Sequence, residues 1–394
     1  MTSQPIDDSF HAPCLVKQEH TNVEPPVVDL YGFMSRHLEL VESIDAASHS
    51  TPLYIYDCHD IKLTEPHRPG WALDEWINQI SNIPDNIVEL ANKGHLKIIF
   101  HIWEKIEEVS PDEIVSRCEK ALQRLNINQS GINIILPTRN IIDMRSYLGY
   151  FPSWYVACVH SLYDRRNIIL KIKIKTTKRS KKFTCLNRKS RFRSHRLFFC
   201  AALFNDGLFD KGYSSFADNS TSTRFRNPED DNVNTTHCNI SIDEFRLNMP
   251  FLIDDINHLG HKMAYKINPD FYYNAYWNFV TETRFTIQNQ FITEKTFKPL
   301  AMGQPFIIVG SPYSLTTLHE LGFKTFGEFI DESYDQIEDN TKRLEAVITV
   351  AKHLVQMSDE EHMELMAKIK PILEYNRNLF FNYPITKLID HITK

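Results

Sequence analysis

Apolar and polar positions along the chain follow two periods, and the switches between them mark its elements. Thr51 to Cys58 (TPLYIYDC) is aromatic and β-branched enough to predict a buried strand, and Leu96 to Trp103 (LKIIFHIW) predicts a second. Between them, Ala72 to Asn92 carries Leu73, Trp76, Ile77 and Ile80 at helical spacing until Pro84 interrupts. Ser110-Pro111-Asp112-Glu113 then has the form of a helix start, with a cap, a first-turn proline and a capping-box glutamate. Ile114, Val115, Cys118, Ala121, Leu122 and Leu125 make that helix's apolar stripe, and Ile132 to Leu136 is the next strand. Strand, helix, strand, helix, strand predicts an open parallel sheet for the first half.

The second half repeats the rhythm less regularly. Phe183 to Leu186 reads as a strand, His195 to Leu208 as an apolar helix, and Gly212 to Phe216 as another strand. Residues 217 to 239 are polar and aperiodic, a surface insertion, and Ser241 to Leu247 predicts a short helix. Near the end, Ser314 to Leu321 is a helix stopped by Gly322, and Glu338 to Val355 carries a stripe at Leu344, Val347, Ile348, Ala351 and Val355. Ser358 and Glu361 form another capping box, opening a helix that Pro371 should kink or break before a last helical segment from Ile372 to Lys394. Residues 1 to 46 are polar with Pro25-Pro26, which predicts a partly disordered arm holding a short helix at Met34 to Ser43.

The stretch from Tyr276 to Pro312 carries the candidate chemistry. Trp277, Phe279, Val280 and Thr281 suit a buried strand, and Glu282 and Arg284 stand where it should run out. After a polar loop, Thr293 caps a short helix that Gly303 should stop, and Pro305 to Val309 is a second buried strand closed by Gly310-Ser311-Pro312. Such a crossover places ligands beyond the carboxyl end of its strand. Thr293-Glu294-Lys295 sits at the helix start, where free N–H groups attract anions; Lys295 adds a point charge for a phosphate and Glu294 an acceptor suited to ribose hydroxyls. The same pair also fits an ordinary charged first turn. Tyr272, Tyr273, Tyr276 and Trp277 are spaced for the core, with stacking on a base as the other use.

In Glu282, Ile292-Thr293-Glu294-Lys295 and Phe306 to Gly310, the chain resembles the donor-binding half of alpha-1,3-fucosyltransferases and related GT-B glycosyltransferases. The resemblance covers roughly the thirty-five residues of this stretch well and about half the chain loosely, by the strand-and-helix pattern it shares. It departs at Val280-Thr281-Glu282-Thr283, which stands where the family has Phe-Glu-Asn. The resemblance implies two Rossmann-like domains facing across a cleft, with a C-terminal helix crossing back. It also implies donor contacts for Glu282, for Glu294 on the ribose and for Lys295 on the phosphates, with GDP-fucose as one candidate donor. The block from Leu186 to Arg196 is similar to glycosyltransferases of phages and large viruses.

Charge sharpens this picture. Residues 171 to 196 hold twelve Lys or Arg and no acid, so a chain of 44 − 50 = −6 is 32 − 50 = −18 outside them. Among Arg188, Arg191, Arg193 and Arg196, at least one is placed to reach a pyrophosphate, because guanidinium forks suit phosphate oxygens and stabilise charge on a leaving nucleotide. The same segment supports a rival from another class: a nucleic-acid-binding or virion-associated protein using 171 to 196 as its electrostatic footprint. A general base would be a carboxylate of the first half; Glu104, after the FHIW strand, leads, with Asp57 and Asp60 as rivals.

Composition bounds the rest. At 394 residues with 42% hydrophobic and 12% aromatic content, two domains are expected. No apolar run approaches the ~18 residues of a membrane span, and the opening MTSQPIDDSFHAP has no secretory signal. Seven scattered cysteines without a C-x-x-C pair read as reduced thiols, so a cytoplasmic protein is expected, in which the sequons at Asn128, Asn219, Asn234 and Asn239 stay idle. Set beside the Golgi members of the family it resembles, the chain shows no membrane stem and is more similar to a soluble bacterial or viral version. Signatures of P-loop NTPases, zincins and serine hydrolases are missing, as is a D-x-D, which favours metal-independent donor binding without a cofactor. The expected organisation is an arm (1–46), an acceptor domain (47–170), a nucleotide-sugar domain (171–372) and a C-terminal helix (373–394). The expected partners are a nucleotide sugar and a carbohydrate or other hydroxyl acceptor, with nucleic acid as the alternative.

Overall fold

The computed structural model describes residues 15–16, 40–41, 52–58, 77, 79–102, 111–136, 145–163, 165–187, 193–216, 240–253, 267–286, 290–384 and 387–389. The chain is mixed α/β and divides into two compact units. The first comprises 1–137, 142–156 and 384–394; the second comprises 138–141 and 157–383.

The first unit is built on one parallel sheet. Its described strands are β1 (Leu15–Val16), β2 (Leu40–Val41), β3 (Leu53–Cys58), β4 (Lys97–Ile102), β5 (Ile132–Leu136) and β6 (Leu148–Tyr150), in the order β2-β1-β3-β4-β5-β6. Parallel neighbours need crossovers, and helices α1 (Asp85–Asn92) and α2 (Pro111–Leu125) supply two of them. Ile87, Val88 and Ala91 of α1 join Ile114, Cys118 and Leu122 of α2 in one buried cluster with Ile98, Phe100, Ile132 and Ile134. At about 1.5–3 kcal/mol for each buried aliphatic or aromatic side chain, this layer dominates the unit's stability.

Two expectations fail here. Leu40 and Val41 are a strand paired in parallel with Leu15 and Val16, not part of a helix. The described residues of the 1–46 arm are therefore sheet members: a two-residue strand is too short to show a period, and pairing with β3 through Leu15 fixes it. The candidate cap Ser110, the carboxylates Glu104 and Asp60, and the insertion 217–239 lie outside the described residues.

The second unit holds β7 (Lys181–Asn187), β8 (Tyr213–Phe216), β9 (Ala275–Thr281) and β10 (Phe306–Val309), again all parallel, in the order β10-β9-β7-β8. Helix α3 (Ser153–Tyr163) leads into this unit and α4 (Arg166–Lys171) follows it. The crossover from β7 to β8 contains α5 (Ser194–Asn205); α6 (Ile242–Leu247) and α7 (Pro269–Tyr273) precede β9. Helix α8 (Glu294–Met302) joins β9 to β10, and α9 (Ser314–Glu320), α10 (Asn340–Gln356) and α11 (Asp359–Phe381) follow. All seven residues of β9 are buried, as are the four of β10, which explains their unbroken apolar run. Tyr276 and Trp277 are fully buried and Tyr272 is buried, so these aromatics belong to the core.

The capping box at α11 forms as the sequence predicts: Glu361 N–H donates to Ser358 Oγ (3.1 Å), and Ser358 N–H donates to Glu361 Oε2 (2.7 Å). Pro371, however, does not break the helix, which continues to Phe381. An internal proline costs about 3 kcal/mol. Met366 and Ile369 before it, and Leu373 and Phe380 after it, are all buried, and breaking the helix would forfeit that face. Among the described residues no helix is long and apolar enough to cross a membrane.

Candidate functional site

Sheet order locates the site. Chain order moves from β7 outward to β8, then returns past β7 to β9 and β10, so the direction of winding reverses between β7 and β9. In such doubly wound sheets, ligands bind beyond the carboxyl ends of the strands flanking that reversal. Asn187 ends β7 and Thr281 ends β9, and Thr281 Oγ1 donates to Asn187 Oδ1 at 2.6 Å, tying the two ends together.

Glu282 follows immediately and is buried. Its carboxylate accepts four hydrogen bonds: from Thr293 N–H (3.0 Å) and Thr296 Oγ1 (2.7 Å) on Oε1, and from Thr293 Oγ1 (2.6 Å) and Thr283 N–H (3.1 Å) on Oε2. The end of β9 is thus pinned to the start of α8. A buried carboxylate needs this many donors to offset lost hydration. Its carbonyl accepts from Arg196 Nε (3.1 Å) and Nη2 (2.9 Å) and lies 2.9 Å from His195 Nε2. Gly310, just past β10, permits the fit, since a Cβ there would stand 3.2 Å from Glu282 Cβ and 3.0 Å from Ile308 Cγ2.

Thr293 caps α8, accepting from Lys295 N–H, and Gly303 stops the helix at φ 65°, the left-handed conformation that favours glycine. Lys295 Nζ donates to Thr293 Oγ1 (2.8 Å) and Thr283 Oγ1 (3.2 Å) and pairs with Glu294 Oε1 (3.1 Å). The Lys295 side chain retains 24% of its exposure and that of Glu294 12%, so the pair lies at the floor of the surface.

The electrostatics are unbalanced. Arg193 and Arg196 from the start of α5, with Lys295 and Lys298 of α8, act on the same space as Glu282 and Glu294. Burial pulls the Lys295 ammonium below the usual lysine range; Glu294 and Glu282 oppose this, while Arg196 and Arg193 add to it. Burial pushes the Glu294 carboxyl up, but the Lys295 and Lys298 charges, with hydrogen bonds from Lys295 and the backbone, leave it below the usual range. Burial also pulls Arg196 down, to about 9, where it remains charged at neutral pH. The Glu282 carboxylate is saturated by protein donors, which leaves Glu294 as the carboxylate paired with Lys295. The arrangement suits an anion.

Of the sequence-predicted residues, the fold brings Glu282, Glu294, Lys295 and Arg196 together. Arg196 is buried against the Glu282 carbonyl and Glu282 against the threonines, so both act as positioning residues in this arrangement. Arg188, Arg191 and Glu104 lie outside the described residues. Sequence reasoning missed Thr283, Thr293 and Thr296 as ligands of Glu282; the i, i+3 spacing of Thr293 and Thr296 on one helix face was the available signal. It also missed Arg343, which is buried and donates to the carbonyls of Gly310 (3.1 Å), Ile337 (2.7 Å), Glu338 (3.0 Å) and Phe285. The Phe285 ring carries the Arg343 guanidinium at 4.3 Å and stacks with His195 at 4.8 Å, holding the loop after Glu282 in place.

The basic segment does not behave as one patch. Arg179 is buried on the carbonyls of Ala275 (2.6 Å) and Lys175 (2.6 Å). Lys178 and Lys182 each pair with Asp359 at 2.7 Å, and Lys181 donates to the Asp210 carbonyl at 2.8 Å. Comparison with known protein families, curated proteins and solved structures finds no match for this chain.

Proposed function

We propose that the chain is a GT-B-type glycosyltransferase moving a sugar from a nucleotide-sugar donor to an acceptor hydroxyl with inversion, with GDP-fucose the first donor to test. One observation carries this reading: cations of α5 and the Glu294–Lys295 pair of α8 converge beyond the carboxyl ends of β7 and β9, where winding reverses. A nucleoside diphosphate fits that set, its phosphates on Lys295 and Arg193 and its ribose hydroxyls on Glu294. The acceptor oxygen would attack the anomeric carbon as the bond to the diphosphate breaks. The proton passes to a carboxylate of the first half, Glu104 being the leading candidate, and the leaving diphosphate keeps the electron pair. Glu282 and Arg196 hold the loop that presents these groups. The rival nucleic-acid reading is weakened because Lys178, Arg179, Lys181 and Lys182 are engaged within the fold.

A thermal-shift panel of GDP, UDP, CMP and ADP, then their sugar conjugates, tests the proposal. Ligand at about 100 times its Kd stabilises the folded state by about 2.7 kcal/mol. A selective shift with GDP supports a fucosyltransferase-like donor, and one with UDP keeps the transferase and discards fucose. No shift with any nucleotide, together with salt-sensitive DNA binding in a gel-shift titration, would replace the proposal with its rival.

A further inference from the structure

Lys295 has three N–H donors, and three protein oxygens already stand around its ammonium: Thr293 Oγ1, Thr283 Oγ1 and Glu294 Oε1. A phosphate cannot take that ammonium without displacing one of them. The threonine hydroxyls are neutral and fixed, Thr293 by its bond to Glu282. The Glu294 carboxylate is the charged competitor, because it occupies the position an anion would seek.

Displacement has a cost set by burial. Glu294 is buried, so a carboxylate separated from Lys295 would lose its charged hydrogen-bond donor with little water to replace it, keeping only the through-space charges of Lys298 and Arg196 and a backbone N–H. An inorganic anion breaks the pair and offers the carboxylate nothing. A ligand with hydroxyl groups a few ångströms from its phosphates offers replacement donors.

Resting on the nucleotide reading above, we propose that the Glu294–Lys295 pair is a selectivity latch, which disfavours free phosphate and diphosphate and opens only for a diphosphate carrying vicinal hydroxyls. Glu294 is then the specificity-determining residue of the site and Lys295 its anion ligand. The Lys295 ammonium supplies attraction for any diphosphate, and the latch supplies the discrimination.

Calorimetric titration of the full chain with pyrophosphate, GDP, UDP and the 2′,3′-dideoxy forms of both nucleotides tests this. In the wild type, the ribonucleotide that binds should do so at least about tenfold more tightly than its dideoxy form, the worth of one charge-assisted hydrogen bond. In Glu294→Gln, pyrophosphate should gain about three- to tenfold while the ribose-to-dideoxy ratio falls to within about twofold. Ribonucleotide binding with a wild-type ratio already within about twofold overturns the latch even if the variant fails to fold. So does an unchanged pyrophosphate affinity or an unchanged ratio in a folded Glu294→Gln protein; both outcomes leave the nucleotide reading standing. Failure of every phosphate compound to bind the wild type overturns the latch and the nucleotide reading together.

Discussion

The two ends of the second sheet use the same residue types for different ends. At the amino ends of β7 and β9, Lys178 and Lys182 are matched by Asp359, Arg179 caps backbone carbonyls, and the ring of His362 stacks on Tyr276 at 4.2 Å. Seven residues along β7, or about 20 Å, Arg193 and Arg196 act on the Lys295 ammonium together with Glu282 and Glu294, and Glu282 already has its four donors. At one end the charged groups are spent on the scaffold, and at the other Lys295 and Glu294 pair at the edge of the surface. A run of basic residues is therefore not one surface feature: Lys178, Arg179, Lys181 and Lys182 serve the scaffold, and Arg193 and Arg196, beyond the strand, reach the site.

The sharpest break in that comparison is Glu282→Ala. It strands the hydroxyls of Thr293 and Thr296 and two N–H groups, and should cost about 3–5 kcal/mol in chemical denaturation. Lys295→Ala should do the opposite, costing about 1–2 kcal/mol of stability while weakening nucleotide binding by about ten- to a hundredfold in calorimetry. If Lys295→Ala cost as much stability as Glu282→Ala and left affinity unchanged, Lys295 would be a scaffold residue like those at the amino end.

The amino end should respond to pH instead. Burial is the main reason that the His362 pKa falls to about 4, with Lys182 adding to it and the Leu354 backbone, Asp359 and Glu361 opposing. Below the ordinary value of about 6.5, the unfolded chain takes up a proton that the folded one refuses. Stability should therefore drop as pH falls from about 6.5 towards 4, by up to about 1.4 kcal/mol per unit. His362→Phe should flatten that slope between urea midpoints at pH 7 and pH 4.5. The smallest effect is expected from Asp359→Asn. Hydrogen bonds from Lys178 and Lys182 hold Asp359 down at about 2, so the stability it contributes is present above its usual pKa and lost as pH falls through 2. With Lys178 largely exposed, the variant should lose less than about 1 kcal/mol at pH 7, and the difference should shrink towards pH 2.

Long periodic elements were legible in the sequence. Ile132 to Leu136, the α8 cap at Thr293 and stop at Gly303, and the Ser358–Glu361 box all appear where local chemistry put them. What was not legible depends on distant parts of the chain. Leu15–Val16 and Leu40–Val41 become strands through pairing with each other and with β3, and Pro371 is carried through a helix by the buried face around it. Within the site, the Glu294–Lys295 pair stood out because both residues lie in one turn. Glu282 looked like a chemical group because the threonines that occupy it come from the far side of a loop. Arg343 gave no sign at all, since its carbonyl partners span Phe285 to Glu338.

Whether a nucleotide seats beyond β7 and β9 can be read from hydrogen exchange of the full chain with and without saturating GDP or UDP. Binding there should slow exchange at Arg193 to Arg196, Thr283 and Thr293 to Thr296, and leave Lys178 to Lys182 unchanged. Binding that protects Lys178 to Lys182 and leaves Thr293 to Thr296 exchanging as before would contradict that seating.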